Sequence, residues 1–134
     1  MIPSTAGFLN RDCEIEEQPG LTYRINADSC SVKGEADGLE AVKQAVYCIL
    51  NTGRYQYPIY SWNYGIELID LYGEPVTYVC PELERRISEA LLCDDRIEGV
   101  DHFTFDVSQK GVVHISFTVH TVFGEVKAER EVNF

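Results

Sequence analysis

His114 and His120 lie six residues apart in VVHISFTVHT, a segment in which apolar and polar residues alternate as on a half-buried strand. At roughly 3.4 Å per residue, about 20 Å separates them, so they cannot share a metal ion. Both alternate with Ser and Thr on the polar side, and His102 alternates with Thr104 and Asp106, which reads as solvated surface imidazoles rather than bases or ligands. Cys13, Cys30, Cys48, Cys80 and Cys93 contain no C-x-x-C pair and no Cys/His spacing suited to zinc. They read as reduced thiols of a cytosol, with Cys48 and Cys93 buried as packing groups.

Carboxylates offer the other route to chemistry, and a glycosidase needs two of them roughly 5–10 Å apart across a cleft. Glu82, Glu84 and Glu89 share a helical segment with Arg85 and Arg86, where intrahelical ion pairing is the plain role. Glu67 and Glu74 are the better pair, because they flank aromatic residues on which a sugar can stack. There is no G-x-S-x-G, no Gly-rich phosphate loop and no H-E-x-x-H, and Asp70 and Asp101 make no calcium-loop spacing. No catalytic residue, metal or cofactor is expected.

The aromatic stretch is Asn51 to Leu68, NTGRYQYPIYSWNYGIEL, with four tyrosines, a tryptophan and Arg54 as its one basic group. Part of it can roof a core. Tyr, Trp and Arg are also the types enriched in interface hot spots, and Pro58 and Gly65 keep this segment out of a helix. The candidate contact residues are Arg54, Tyr55, Tyr57, Tyr60, Trp62 and Tyr64.

Two helices and five strands must position that loop. LTYRIN and SCSVKG, turning at Ala27-Asp28, predict a small hairpin. Leu39, Val42, Val46 and Ile49, with Ala45 and Leu50, predict a helix with a capping box at Asp37 and Glu40 and a stop at Gly53. A second helix fits PVTYVCPELERRISEALLCDDR, burying Val79, Leu83, Ile87, Ala90 and Leu91, with Pro81 in its first turn. Alternation then predicts strands pairing Phe103 with Phe117, Phe105 with Ile115 and Val107 with Val113 around a Gln109-Lys110-Gly111 loop. A turn at Phe123-Gly124 would pair Val119 with Ala128 and Ile115 with Val132. That register puts Arg130 on the apolar face opposite Phe117, where it requires a carboxylate partner unless the register is wrong. The class is α+β: a C-terminal three-stranded antiparallel meander and a small N-terminal hairpin packed against two main helices.

At 134 residues the chain suits one domain over 21–134, preceded by a flexible acidic tail over 1–20. A formal charge of −11 argues against nucleic acid and anionic membranes as partners. No apolar run reaches the roughly 20 residues of a membrane span, and no signal-peptide pattern opens the sequence.

The run DGLEAVKQAVYCILNTGRYQYPIYSWNYGIELIDLYGEP, followed by LERRISEALLCDDRIEGVDHFTF, resembles the baseplate wedge and sheath-initiator family of contractile phage tails, in its Gram-positive prophage branch. The likeness covers about residues 21–134 and rests on Leu-x-Thr-x-Arg-Tyr from Leu50, Ile-Tyr-Ser-Trp-Asn-Tyr-Gly from Ile59, and a helix ending in Asp95-Arg96-Ile97. It implies a non-enzymatic structural protein of a phage or bacteriocin-like particle, assembled in the bacterial cytoplasm. Six copies would join the wedge to the sheath and start sheath assembly by strand addition. Baseplate wedge, sheath and tail hub or tube proteins are the implied partners. The resemblance adds Gly65 and Glu67, which with Tyr64 match the family's aromatic-glycine turn, to the contact residues; it places Arg96 at an interface corner that lacks the family's proline, and the terminal strand, with Val126, Ala128 and Val132, at the sheath. Older lysozyme-like naming of the family keeps a peptidoglycan-cleaving glycosidase as the alternative.

Overall fold

The computed structural model of the protein describes residues 20–133. The acidic tail expected over 1–20 therefore lies outside the described residues except for Gly20, as does Cys13. In chain order the elements are β1 (Thr22–Asn26), β2 (Ser31–Ala36), α1 (Gly38–Leu50), a 3-10 turn (Ile69–Leu71), α2 (Val76–Leu92), β3 (Ile97–Asp106), β4 (Val112–Thr121) and β5 (Gly124–Asn133). β1 and β2 form an antiparallel hairpin, and β3-β4-β5 an antiparallel meander with β3 and β5 at its edges. The apolar face of the meander shares one core with both helices, as the α+β pattern requires.

The hairpin differs from expectation at its turn. The turn spans Ala27–Cys30 and is organised by Asn26, whose side-chain oxygen accepts from the backbone of Asp28 and Ser29. Both strands are exposed except at Ala36, and Gln44 of α1 holds β1 down: its amide accepts from Ile25 N–H at 2.9 Å and donates to the Tyr23 carbonyl at 2.7 Å.

Asp37 caps α1 by accepting from Gly38 N–H at 2.7 Å. Glu40 does not close a capping box with it; its carboxylate pairs with Arg24 of β1 at 2.8 Å. Ala41, Val42, Val46, Ile49 and Leu50 form the buried stripe, while Leu39 stays exposed. The helix stops at Leu50, before Gly53, because Asn51 takes the C-cap and its side-chain amide donates to the Tyr47 carbonyl.

In α2 the five predicted core residues, Val79, Leu83, Ile87, Ala90 and Leu91, are all buried. Pro81 lies in the second turn rather than the first, because Pro75 occupies the N-cap and its carbonyl takes the first bonds, from Tyr78 and Val79. Cys93, expected to be buried, is exposed at the helix end with its thiol directed at the Glu89 carbonyl; Cys48 is half-buried, and burial pushes its thiol pKa up.

Phe105 pairs with Ile115 as predicted, but β3 is longer than its period-two segment and carries two irregularities. The ladder slips between Ile97 and Gly99 and again between Asp101 and Thr104, so Ile97, Val100, Phe103 and Phe105 all reach the apolar side. Phe103 sits in the second bulge, not in register with Phe117, yet their rings stack at 5.3 Å. Val107 has left the strand and is exposed, so the β3–β4 ladder ends at Asp106 opposite His114 and the predicted Val107–Val113 pair does not form.

The β4–β5 turn is Val122-Phe123, which sets Val119 against Val126, Phe117 against Ala128 and Ile115 against Arg130. This is two residues away from the predicted register, so the face assignment survives while every partner changes. Arg130 still points to the apolar face, and its partner is the side-chain oxygen of Asn51 rather than a carboxylate. Its Nε is buried with no hydrogen-bond partner among the described residues.

Candidate functional site

The aromatic segment is a loop pinned at its base. Gly53 and Ile66 form a single parallel bridge, with Arg54 N–H donating to the Ile66 carbonyl at 3.1 Å and Ile66 N–H to the Thr52 carbonyl at 3.0 Å. Gly65 makes that closure possible. Its φ is +92°, and a Cβ there would stand 2.6 Å from the Thr52 carbonyl oxygen.

Above the base, Arg54 Nε donates to the Trp62 carbonyl at 2.9 Å, and its guanidinium lies 4.9 Å from the centre of the Tyr55 ring. Tyr55 itself has φ +67°, a left-handed conformation uncommon outside glycine. Tyr55 meets Trp62 edge-on at 6.0 Å, Tyr57 meets Tyr60 edge-on at 6.2 Å, and Tyr60 stacks on Tyr64 at 4.5 Å. The rings thus brace one another, which fixes the loop with little help from the core.

The division between covered and exposed rings is clear. Tyr64 is half-buried against the core, and the burial raises its phenol pKa. Tyr55, Tyr57 and Tyr60 face out, and Ile59 and Trp62 at the crest are 85% and 79% exposed. A braced, solvent-facing group of large apolar side chains has met its ordering costs in advance, which is the physical requirement of a preformed contact surface.

Arg86 anchors the far end of this segment. Its guanidinium is largely covered and reaches beyond the helix: it donates to both oxygens of Asp70, at 2.5 and 2.7 Å, and to the Glu67 carbonyl at 2.8 Å. These bonds hold the Asp70 carboxyl below its usual pKa. A shallow depression of about 150 Å³ lies between loop and helix, lined by Arg54, Gly65, Glu67, Arg85, Arg86 and Glu89 among others. Glu74 is not part of it, and both Glu67 and Glu74 are exposed. The pair considered for glycoside cleavage therefore does not converge on that depression, and neither acid is enclosed by apolar side chains.

Arg96 binds Asp94 through Nε and Nη2, at 3.0 and 2.8 Å, and its backbone N–H reaches the same carboxylate. Its carbonyl accepts from Val122 N–H at 3.0 Å, which ties the α2–β3 corner to the β4–β5 turn. In β5, Val126 and Val132 are buried in the core and Ala128 is half-buried, so this strand offers outward its backbone edge, not those side chains. The sequence reading missed one grouping: Asp101, His102 and His120 come together on the sheet.

Over residues 21–124 the sequence matches the family described as contractile injection system sheath initiator. The chain belongs to the sheath-initiator family. The phage-like element PBSX protein XkdS of Bacillus subtilis (strain 168) is 39% identical over 125 residues, 88% of each chain. This sheath-initiator family member is accordingly a structural component of a contractile tail, and the matched region runs from the hairpin through the aromatic loop to the start of β5.

Proposed function

We propose that the protein joins the baseplate wedge to the sheath, docking on wedge proteins through the aromatic loop and offering β5 as the edge on which the first sheath ring is built. Six copies around the tail hub would template that ring, inside a virion tail or a phage-tail-like particle, without catalysis. The observation that carries this reading is the state of β5: among the described residues no strand pairs with its outer side, while its apolar side chains anchor it in the core. A rigid edge with unpaired backbone groups is what strand addition uses.

The burial of Val126 and Val132 dictates the test, because deleting the strand would damage the fold along with the edge. Of adjacent residues on an edge strand, one directs its N–H to the partner strand and the next directs it outward. Between Lys127→Pro and Ala128→Pro, the variant that keeps the wild-type melting temperature should give complete baseplates that carry no sheath. Normal sheathed tails from that folded variant would overturn the proposal.

A further inference from the structure

Asp101 and His102 of β3, His120 of β4 and Glu125 of β5 meet on the solvent face of the meander. Asp101 Oδ1 is 2.5 Å from His102 Nδ1 and 2.8 Å from His120 Nε2. One atom from each of the three residues therefore falls within 4.8 Å of the others. The remaining nitrogen of His120, Nδ1, is 3.3 Å from Glu125 Oε1.

The bulge builds this cluster. Upstream of it Asp101 is paired with Thr118 and Gly99 with His120, so Asp101 and His120 are diagonal neighbours on one face. Without the slip the two would project from opposite faces. The bulged residue is His102, held at φ +54°, a conformation a non-glycine residue adopts at a cost. That backbone turns consecutive residues, Asp101 and His102, toward one point instead of to opposite sides of the strand.

We propose that Asp101 Oδ1, His102 Nδ1 and His120 Nε2 form a binding site for a divalent transition-metal ion of the zinc class, with Glu125 orienting His120 from behind. Two imidazoles and a carboxylate are a donor set such ions take, with water in the fourth position. Bonds of about 2.0–2.1 Å place tetrahedral ligands about 3.4 Å apart, so the two contacts of Asp101 with the rings need open by less than about 1 Å to admit the ion. Glu125 on Nδ1 supplies the carboxylate–histidine–metal relation that fixes the tautomer, leaving the Nε2 lone pair for the ion. The ion takes the place of the two N–H protons that His102 Nδ1 and His120 Nε2 direct at Asp101 Oδ1, the first moving to His102 Nε2 and the second leaving to solvent, and the chain's charge of −11 concentrates cations at its surface. Bound there, it clips the bulge of β3 to β4 and raises the melting temperature by mass action.

The test is titration of the full-length chain, kept reduced, with Zn²⁺ by calorimetry and with Co²⁺ by absorption. The expected result is saturable uptake with visible bands of nitrogen and oxygen ligation and no thiolate charge-transfer band. His102→Ala and His120→Ala should each abolish it, and Glu125→Gln should weaken it by about 10–100-fold. His102 is solvent-exposed, so His102→Ala keeps the fold intact and the comparison interpretable even if His120→Ala does not. No saturable binding by the wild type, binding retained in the His102→Ala/His120→Ala double variant, or a thiolate band that assigns the ion to cysteines would overturn the proposal.

Discussion

Gly65 and Trp62, three residues apart, separate the two demands made on the aromatic loop. Gly65→Ala forces a Cβ against the Thr52 carbonyl at a positive φ, so it should cost at least about 1–3 kcal/mol in denaturant unfolding and loosen every ring above it. Trp62→Ala removes a crest side chain that the core does not use and should change stability by less than about 0.5 kcal/mol while reducing incorporation into baseplates. A large stability loss with normal incorporation would return Trp62 to the core. Arg54→Ala belongs between them, because Arg54 both holds the Trp62 carbonyl and supports the Tyr55 ring. Asp94 carries a pH signature of its own. The Arg96 guanidinium holds its carboxyl below the usual range, so the stability it contributes is fully present above the unfolded value near 3.9 and is lost as pH falls through the folded value. Asp94→Asn should therefore lower the melting temperature at neutral pH, and its deficit against wild type should shrink as the medium becomes strongly acidic.

The helices were legible in the sequence because their period is regular: Val42, Val46 and Ile49 in α1 and Val79, Leu83 and Ile87 in α2 each define one face, and all six are buried. The sheet was legible only where its ladder is regular. Alternation identifies Phe103 and Phe105, but upstream the inward residues Ile97, Val100 and Phe103 are spaced by three, the mark of two bulges that a period-two reading passes over. The same slip hid the Asp101, His102 and His120 grouping, since regular pairing puts Asp101 and His120 on different faces. Likewise, the two-residue shift of β5 left Arg130 facing the core and changed its partner to Asn51, the cap of α1. Arg130 thus joins helix to sheet through a neutral group, with Nε unpartnered. Arg130→Met should be neutral or stabilise by about 1 kcal/mol, because a partly satisfied guanidinium is replaced by an apolar chain of similar reach. Asn51→Ala should destabilise by about 1–3 kcal/mol, since it removes the acceptor and the helix cap together. The reverse order of melting temperatures would show that the Arg130–Asn51 contact stabilises the fold outright.

At the scale of the molecule, two exposed apolar surfaces lie on a chain with twice as many acids as bases. The exposed apolar residues Tyr23, Ile25 and Val32 on the hairpin and Tyr55, Ile59 and Trp62 on the loop would drive copies together in solution. A charge of −11 on each copy opposes this at every separation within the screening length, which is about 10 Å at 0.1 M salt and roughly 30 Å at 0.01 M. Repulsion therefore dominates at low salt and apolar burial gains as salt rises. The isolated protein should sediment as a monomer at low ionic strength and shift toward larger species as sodium chloride is added. Trp62→Ala should blunt that shift, because it removes apolar contact while leaving the charge unchanged. This behaviour would confine ring formation to the growing tail, where neighbouring components supply the docking surfaces that hold copies together. A salt-independent ring in dilute buffer would show instead that contacts between copies outweigh the repulsion unaided.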